Sequence, residues 1–181
     1  MTPALLSSLT LSVQVDNVPP MSASIREAIQ QQKPFDSLQT EVMLTLMRTT
    51  DLLVERSHRP ICGAGLTSSQ YNVLRILRGA GEAGLQTYQV AERLVTRAPN
   101  ITRLVDKLET KGFINRRRSD QDRRVVQLRI TDAGIALLAE LDDPVASATK
   151  EALLGLGEPE LKELCQSLNR LRKSVEDPAA R

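Results

Sequence analysis

Residues 66–134 constrain the fold more than any other part of the sequence, because three short helical segments are followed there by an arginine-rich hairpin. Residues 67–70 (Thr-Ser-Ser-Gln) place a hydroxyl and an amide at capping-box spacing, which predicts the start of the first helix. Thr87 predicts the cap of a second, shorter helix. A third helix is predicted over residues 98–111, with Pro99 in the first turn, where a missing N–H group costs nothing. These segments indicate a mainly α-helical domain.

Two short strands are predicted after the third helix, over residues 113–118 and 124–130. In the second strand apolar residues recur at every other position from Val126 to Ile130, which is the pattern of a strand with one buried face. Residues 119–122 (Ser-Asp-Gln-Asp) have the composition of a tight turn. Hydrophobic residues make up 41% of the chain but aromatic residues only 2%, so the core is expected to consist of Leu, Ile, Val and Ala.

Positive charge is concentrated in one part of the chain. The formal net charge of the whole sequence is only +2. Between residues 97 and 130 ten basic residues oppose four acidic ones, whereas from residue 140 to 181 nine acidic residues oppose six basic ones. Affinity for a polyanion depends on such local charge rather than on the average. The first segment is therefore suited to nucleic acid, and the C-terminal segment is not.

A helix that can enter a major groove, beside a basic hairpin that can reach the neighbouring minor groove, is the plan of a winged helix-turn-helix DNA-binding domain. In the third helix the apolar residues from Ile101 to Leu108 recur at helical spacing and predict its buried face. On the other face Asn100 can read adenine and Arg103 can read guanine, while the start of the helix suits a phosphate. The predicted DNA contacts in this part of the chain are Thr96, Arg97, Asn100, Thr102, Arg103 and Lys107.

The hairpin, or wing, predicted over residues 113–130, offers a second group of DNA contacts. Arginine has a permanent charge and five donors, which suits phosphates and narrow minor grooves. An acid at Asp122 is explained if its carboxylate orients Arg124 by a charge-assisted hydrogen bond. The alternative is a wing whose charges only keep it soluble and prevent edge pairing, but its density of arginines exceeds that requirement. The predicted contacts in the wing are Arg118, Asp122, Arg123 and Arg124.

Five segments of this region form a specific combination. They are Leu66-Thr-Ser-Ser-Gln-Tyr-Asn-Val-Leu74, Val90-Ala-Glu-Arg-Leu94, Pro99-Asn-Ile-Thr-Arg-Leu-Val-Asp-Lys-Leu-Glu-Thr-Lys-Gly-Phe-Ile114, Asp120-Gln-Asp-Arg-Arg124 and Leu128-Arg-Ile-Thr-Asp-Ala-Gly134. In this combination residues 66–137 resemble the MarR family of regulators. The resemblance implies a triangular, obligate homodimer with intertwined N- and C-terminal helices. It also implies binding to a pseudo-palindromic operator, usually as a repressor.

The resemblance also assigns roles to single residues. Asp122 and Arg124 match the acid–arginine pair of the family's wing, and Arg123 lies beside them. The DNA-facing positions of the recognition helix are matched by Asn100, Thr102 and Arg103. The chain departs from the family's usual layout at its start, because about 35 residues precede the first long helix. This departure leaves the N-terminal dimer contacts open.

The flanking segments predict long helices with one apolar stripe each, over about residues 37–57, 132–141 and 159–175. Residues 142–144 (Asp-Asp-Pro) are expected to interrupt or kink the second of these helices, and a loop is predicted around residues 60–65. The predicted fold is mainly α with a β-hairpin wing, and it comprises an N-terminal extension expected to be poorly ordered (1–24), N-terminal dimerisation helices (25–65), a winged helix-turn-helix domain (66–131) and C-terminal dimerisation helices (132–181).

No catalytic arrangement, cofactor or metal site is predicted, and the chain is not expected to be an enzyme. Two cysteines are too few for a disulfide framework and match no zinc spacing, so a reduced cytoplasm is the expected location. Cys62, with basic neighbours in the sequence, is a candidate redox sensor, and the alternative is a structural or incidental cysteine. Cys165 is expected to pack on an apolar stripe. Neither a secretory signal nor a membrane span is predicted.

Two alternatives stay open from the sequence. A winged helix can also serve as a protein-interaction module, whose basic wing binds an acidic partner, and salt dependence with a preference for duplex DNA would separate the two functions. The controlling signal is equally open: a small phenolic or lipophilic compound, an oxidant, or no ligand. The predicted partners are double-stranded DNA, a second copy of the chain and a small-molecule effector of open identity.

Overall fold

The computed structural model describes residues 24–118 and 125–177. The predicted N-terminal extension, up to residue 23, lies outside the described residues, as do the wing-tip residues Asp122, Arg123 and Arg124. By its internal contacts the chain divides after Thr50 into two compact units. The elements that carry the predicted DNA contacts all belong to the second unit.

The described residues confirm a mainly helical fold with one β-hairpin. The helices are α1 (Ile25–Ala28), α2 (Leu38–Ser57), α3 (Arg59–Gly63), α4 (Ser68–Ala80), α5 (Thr87–Arg93), α6 (Ile101–Thr110), α7 (Asp132–Ala152) and α8 (Glu158–Glu176), with a 3₁₀ turn at Gly81–Ala83. The strands β1 (Ile114–Arg118) and β2 (Val126–Ile130) pair antiparallel, with Ile114 opposite Ile130 and Arg118 opposite Val126. Among these helices none is long and apolar enough to span a membrane.

The core of the second unit is built around α4. Leu74 and Leu77 on this helix are fully buried, and the core contains no buried aromatic side chain except Tyr71. This composition agrees with the aliphatic core expected from the sequence. The other elements contribute Ile61, Val90, Val105, Leu108, Ile114, Leu128, Leu138 and Leu141, all of them buried.

The predicted capping box fixes where α4 begins. The Gln70 backbone N–H donates to the Thr67 hydroxyl over 3.2 Å, and the Thr67 N–H donates to Gln70 Oε1 over 3.0 Å. Two backbone donors that no helical carbonyl can reach are thereby satisfied. The helix ends at Gly81, whose φ of +61° suits a residue without a side chain.

A glycine lets the 3₁₀ turn approach the hairpin closely. Leu85 exchanges two backbone hydrogen bonds with Leu128 in β2, at 3.0 and 2.8 Å. Just before it, a Cβ on Gly84 would lie 2.6 Å from the Leu128 carbonyl oxygen and 2.8 Å from Arg129 Cγ. Only glycine accepts both this approach and the φ of +66° found there. Strand β2 is therefore held on both edges.

A second close approach fixes the start of α7. The Thr131 hydroxyl accepts the Gly134 N–H at 3.2 Å and donates to the Gly112 carbonyl at 2.7 Å. A Cβ on Gly134 would lie 2.4 Å from the Phe113 carbonyl oxygen, so the residue at this buried position has to be glycine. The Thr-Asp-Ala-Gly sequence thus anchors α7 against the start of the hairpin.

Four local predictions are wrong. The cap of α5 is Gln86 rather than Thr87, because the Gln86 N–H finds an acceptor in Gln89 Oε1 at 2.9 Å. The loop predicted after residue 60 begins with the short helix α3, since Pro60 in the first turn needs no hydrogen-bond acceptor. Pro99 precedes α6 instead of lying in it. Helix α7 is not interrupted at Pro144, which is exposed, so that water can reach the carbonyl group left without its N–H partner. A kink at this residue stays a prediction.

Candidate nucleic-acid interface

Helix α6 presents the face that the sequence predicted. Val105 and Leu108 are buried in the core, whereas Thr102, Arg103 and Lys107 are exposed. An amphipathic helix with this division holds its polar side chains at fixed positions on the surface. Three of the predicted DNA contacts are therefore brought together on one rigid element.

Asn100 has a structural role that was not predicted from the sequence. Its amide oxygen Oδ1 accepts the Arg103 backbone N–H at 3.1 Å and so caps α6. This capping bond also explains why the helix starts three residues later than predicted. With Oδ1 directed to the helix, only the Nδ2 group is free to donate, which does not favour the paired contact to adenine expected from the sequence. A DNA contact by Asn100 stays a prediction.

The turn between α5 and α6 places further groups at the surface. Thr96 and Arg97 are both exposed there. The backbone of the turn is fixed by the Val95 N–H, which donates to Asn72 Oδ1 at 3.1 Å. The Val95 side chain is 89% exposed, and Tyr88 on α5 is also exposed. No role was predicted from the sequence for either side chain, because an isolated exposed apolar residue gives no periodic signal.

Arg116 joins α6 to the hairpin. Its guanidinium group pairs with Asp106 at 2.5 Å and with Glu109, both on α6. The hydrogen bond that Arg116 donates to Asp106 is the main reason that the pKa of Arg116 is raised above its ordinary value, against the opposing effect of burial. Both acids that α6 carries are thus paired within the protein. Arg116 is one of the ten basic residues counted between residues 97 and 130, but it pairs with the acids of α6 and does not present a free charge to DNA.

Lys111 and the wing arginines differ in how they are held. The Lys111 ammonium group donates to the Gly65 carbonyl at 2.6 Å, which ties the residue after α6 to the loop before α4. Arg117 and Arg118 on β1 are exposed. Arg118 is therefore accessible, as its predicted DNA contact requires, but the predicted pairing of Asp122 with Arg124 lies outside the described residues.

A two-pronged ion pair links α4 to α7. Arg78 donates to both carboxylate oxygens of Asp142, at 2.8 and 2.9 Å. This hydrogen bonding lowers the pKa of Asp142 and raises the pKa of Arg78 from their ordinary values. Planar bidentate pairs fix direction as well as distance. The pair therefore sets the path of α7 at the point where that helix leaves the core.

The two cysteines lie on helices other than α6, outside the hairpin. Cys62 is on α3 rather than in a loop, and it is exposed. His58 next to it is hydrogen-bonded through Nδ1 to the Ser68 hydroxyl. Cys165, predicted to pack on an apolar stripe, is exposed as well, because the stripe of α8 is not covered in the single chain. Within residues 24–118 and 125–177 there is no group of three His, Cys, Asp or Glu side chains that could hold a metal ion.

The long terminal helices present uncovered apolar stripes. Neither α2 nor α8 contains a buried residue. On α2 the exposed apolar side chains include Met43 and Met47, and on α8 they include Leu164, Leu168 and Leu171. Contiguous apolar surface of this kind marks an interaction site.

Comparison with known proteins gives consistent similarities. A model of the MarR family matches residues 66–126. The HTH-type transcriptional regulator MhqR of Bacillus subtilis (strain 168) is 30% identical over 131 residues, which are 72% of this chain and 89% of that protein. The transcriptional repressor MprA of Escherichia coli (strain K12) is 28% identical over 133 residues, with coverage of 72% and 76%. The crystal structure of a MarR transcription factor from Planctomyces limnophilus is 40% identical and has a TM-score of 0.58, with coverage of 75% of this chain and 98% of that one.

Proposed function

Because the chain belongs to the MarR family of transcriptional regulators, we propose that it is a homodimeric repressor that binds a pseudo-palindromic operator in double-stranded DNA. The observation that carries this proposal is the exposed face of α6, where Thr102, Arg103 and Lys107 stand clear of the core while Arg116 pairs with both acids of the helix. A helix of this kind fits a major groove.

The proposed division of labour follows from the elements. Residues 66–131 bind DNA, whereas residues 25–65 and 132–181 join two copies of the chain. In α6 we assign base reading to Arg103, whose guanidinium group matches the two acceptors of guanine, and a phosphate contact to Lys107. Further phosphate contacts are assigned to Thr96 and Arg97 in the turn before α6. Asn100 supports the helix start and Thr102 lies beside the bases.

The wing extends the contact to the neighbouring minor groove. Arg118 is exposed at the end of β1, in support of a contact to the DNA backbone. Beyond it Arg124, oriented by Asp122, is proposed to enter the groove, with Arg123 on a phosphate or the groove edge. An arginine in a narrow groove reads groove width rather than base identity. The link between Arg116 and α6 supports a fixed spacing of the two contacts.

A second copy of the chain would cover the exposed stripes of α2 and α8. A two-fold dimer places its two recognition helices about one DNA turn apart, roughly 34–36 Å, and so matches a palindromic site. A protein that occupies an operator as such a dimer blocks other proteins from that DNA, and the similarity to the repressor MprA supports repression. A DNA partner also agrees with the cytoplasmic location expected from the sequence.

Selection of bound sequences from random duplexes, followed by binding isotherms, tests this function. Arg103→Ala is expected to lose about 1–3 kcal/mol on the selected duplex and much less on a scrambled one. Arg59→Ala, on α3 with a side chain 75% exposed, is the matched control and is expected to change neither isotherm. Equal losses by Arg103→Ala on both duplexes would contradict base reading. A failure to prefer duplex DNA over other polyanions would favour the protein-interaction module.

A further inference from the structure

A recess of about 600 Å³ lies at the base of the wing. One wall is the outward face of the hairpin, with Asn115, Arg117 and Arg129. The opposite walls come from the end of α4 with the 3₁₀ turn, and from the first turn of α7. We call it the wing-base recess. It is separate from the exposed face of α6, because residues of a strand alternate between two faces and Arg116, between Asn115 and Arg117, pairs with α6 instead.

The hairpin register brings two guanidinium groups to the recess. Asn115 lies opposite Arg129 and Arg117 opposite Gln127, so Arg117 and Arg129 are diagonal neighbours on one face. Side chains in this relation are close enough to interact, and like charges repel. Within the described residues neither arginine forms an ion pair. An anion bound between them would relieve this repulsion.

Asn115 and Arg129, which line the recess, each carry a buried polar atom that has no hydrogen-bond partner among the described residues, Asn115 Oδ1 and Arg129 Nε. A buried donor or acceptor that lacks a hydrogen-bond partner costs free energy. This cost is removed when the side chain turns so that the atom meets a partner. Oδ1 requires a donor and Nε requires an acceptor. A single bound molecule with both kinds of group would satisfy the pair.

The Arg129 side chain is held in place at its stem, and other charged side chains also line the recess. The Arg129 stem packs closely against Gly84, because a Cβ added to Gly84 would lie only 2.8 Å from Arg129 Cγ. Arg78, which also lines the recess, is fixed and neutralised by Asp142. The carboxylates of Glu82 and Asp132 line it as well, and they would repel an anion that had no donor to offer them.

We propose that the wing-base recess binds a small organic acid that carries a hydroxyl or amino group. The carboxylate of this molecule lies between the Arg117 and Arg129 guanidinium groups. Its O–H or N–H donor meets Asn115 Oδ1 when the Asn115 side chain turns toward the recess. Bound there, the molecule contacts both strands of the wing and the first turn of α7.

Calorimetric titration of the full chain, without DNA, tests the proposal with three acids of one size. L-Malate carries a hydroxyl donor, L-aspartate carries an amino donor, and succinate carries neither. We expect malate or aspartate to bind at least 10-fold more tightly than succinate, and the stronger of the two identifies the donor. Equal binding of all three, or no binding of any, overturns the proposal. Since no DNA is present, this outcome is independent of the function proposed above.

Two variants locate the site. Asn115→Leu keeps the side-chain size but removes the acceptor, so the preference over succinate should fall below about 2-fold. Arg129→Gln should weaken every acid at least 10-fold, and circular dichroism checks that it folds. Arg59→Gln removes an arginine outside the recess and should leave all titrations unchanged. Retention of the preference by a folded Asn115→Leu protein places the ligand elsewhere and overturns the proposal.

Discussion

Helices α4 and α8 are both amphipathic, yet one is covered by its own chain and the other is not. Five of the 13 residues of α4 are buried, whereas none of the 19 residues of α8 is. The same contrast holds between α6, which buries Val105 and Leu108, and α2, which buries no residue. An apolar stripe therefore predicts that a helix will be packed, but the stripe alone does not say which molecule supplies the partner.

The largest expected effect tests whether α4 is packed by its own chain. Leu74 is fully buried in α4, so Leu74→Ala should lower the free energy of unfolding by about 2–5 kcal/mol. Urea unfolding measures this loss, which should be the same at low and high protein concentration. Val95→Ala truncates an aliphatic side chain that is 89% exposed and lies outside the proposed dimer segments, and its effect should stay within about 0.5 kcal/mol. Similar losses for the two variants would contradict the assigned core.

The next prediction tests whether a second chain packs against α8. If a second chain covers α8, Leu168→Glu places a charge where a buried Leu contributes about 1.5–3 kcal/mol. The dissociation constant of the dimer should then rise at least about 10-fold, because 1.4 kcal/mol corresponds to a factor of 10. Sedimentation equilibrium or light scattering of dilute protein measures the change. Gln166→Glu adds the same charge away from the stripe. If both variants dimerise as tightly as the original chain, the α8 stripe is not the interface.

The sequence predicted features that depend on neighbouring residues, but not those that depend on contacts between distant elements. The start of α4 and the buried face of α6 depend on residues within four positions of one another, so local spacing was sufficient. Asn100 as a cap was within reach as well, because Asn is a preferred N-cap residue. The pairing of Arg116 with Asp106 depends on how β1 lies against α6, which no local pattern encodes. The recess at the wing base likewise required the register of the hairpin.

Arg116 on β1 forms ion pairs with α6, within the part of the fold that packs against its own chain. Its replacement in Arg116→Ala leaves the carboxylates of Asp106 and Glu109 unpaired beside a helix proposed to bind DNA. We expect affinity for the selected duplex to fall about 10-fold, or ~1.4 kcal/mol, because these charges repel phosphates. Adding Asp106→Asn and Glu109→Gln to the same chain should restore most of it. Without such a rescue, Arg116 would have to contact DNA directly.

The smallest expected effect concerns Asp142, at the point where α7 leaves the core of its own chain. Leu141 is buried, and the next residue, Asp142, is paired with Arg78. The pKa of Asp142 is lowered by this pair, so its contribution to stability is present above the unfolded pKa of about 4 and is lost as the pH falls through the lowered value. Both side chains are partly exposed, and solvent screening keeps the contribution below about 1 kcal/mol. Urea unfolding should therefore show Asp142→Asn to be slightly less stable than the original chain at pH 7, with a difference that shrinks as the pH falls below about 4. The neighbouring control Asp143→Asn should match the original chain throughout. A difference that persists in acid would mean that Asp142 acts through packing rather than through its charge.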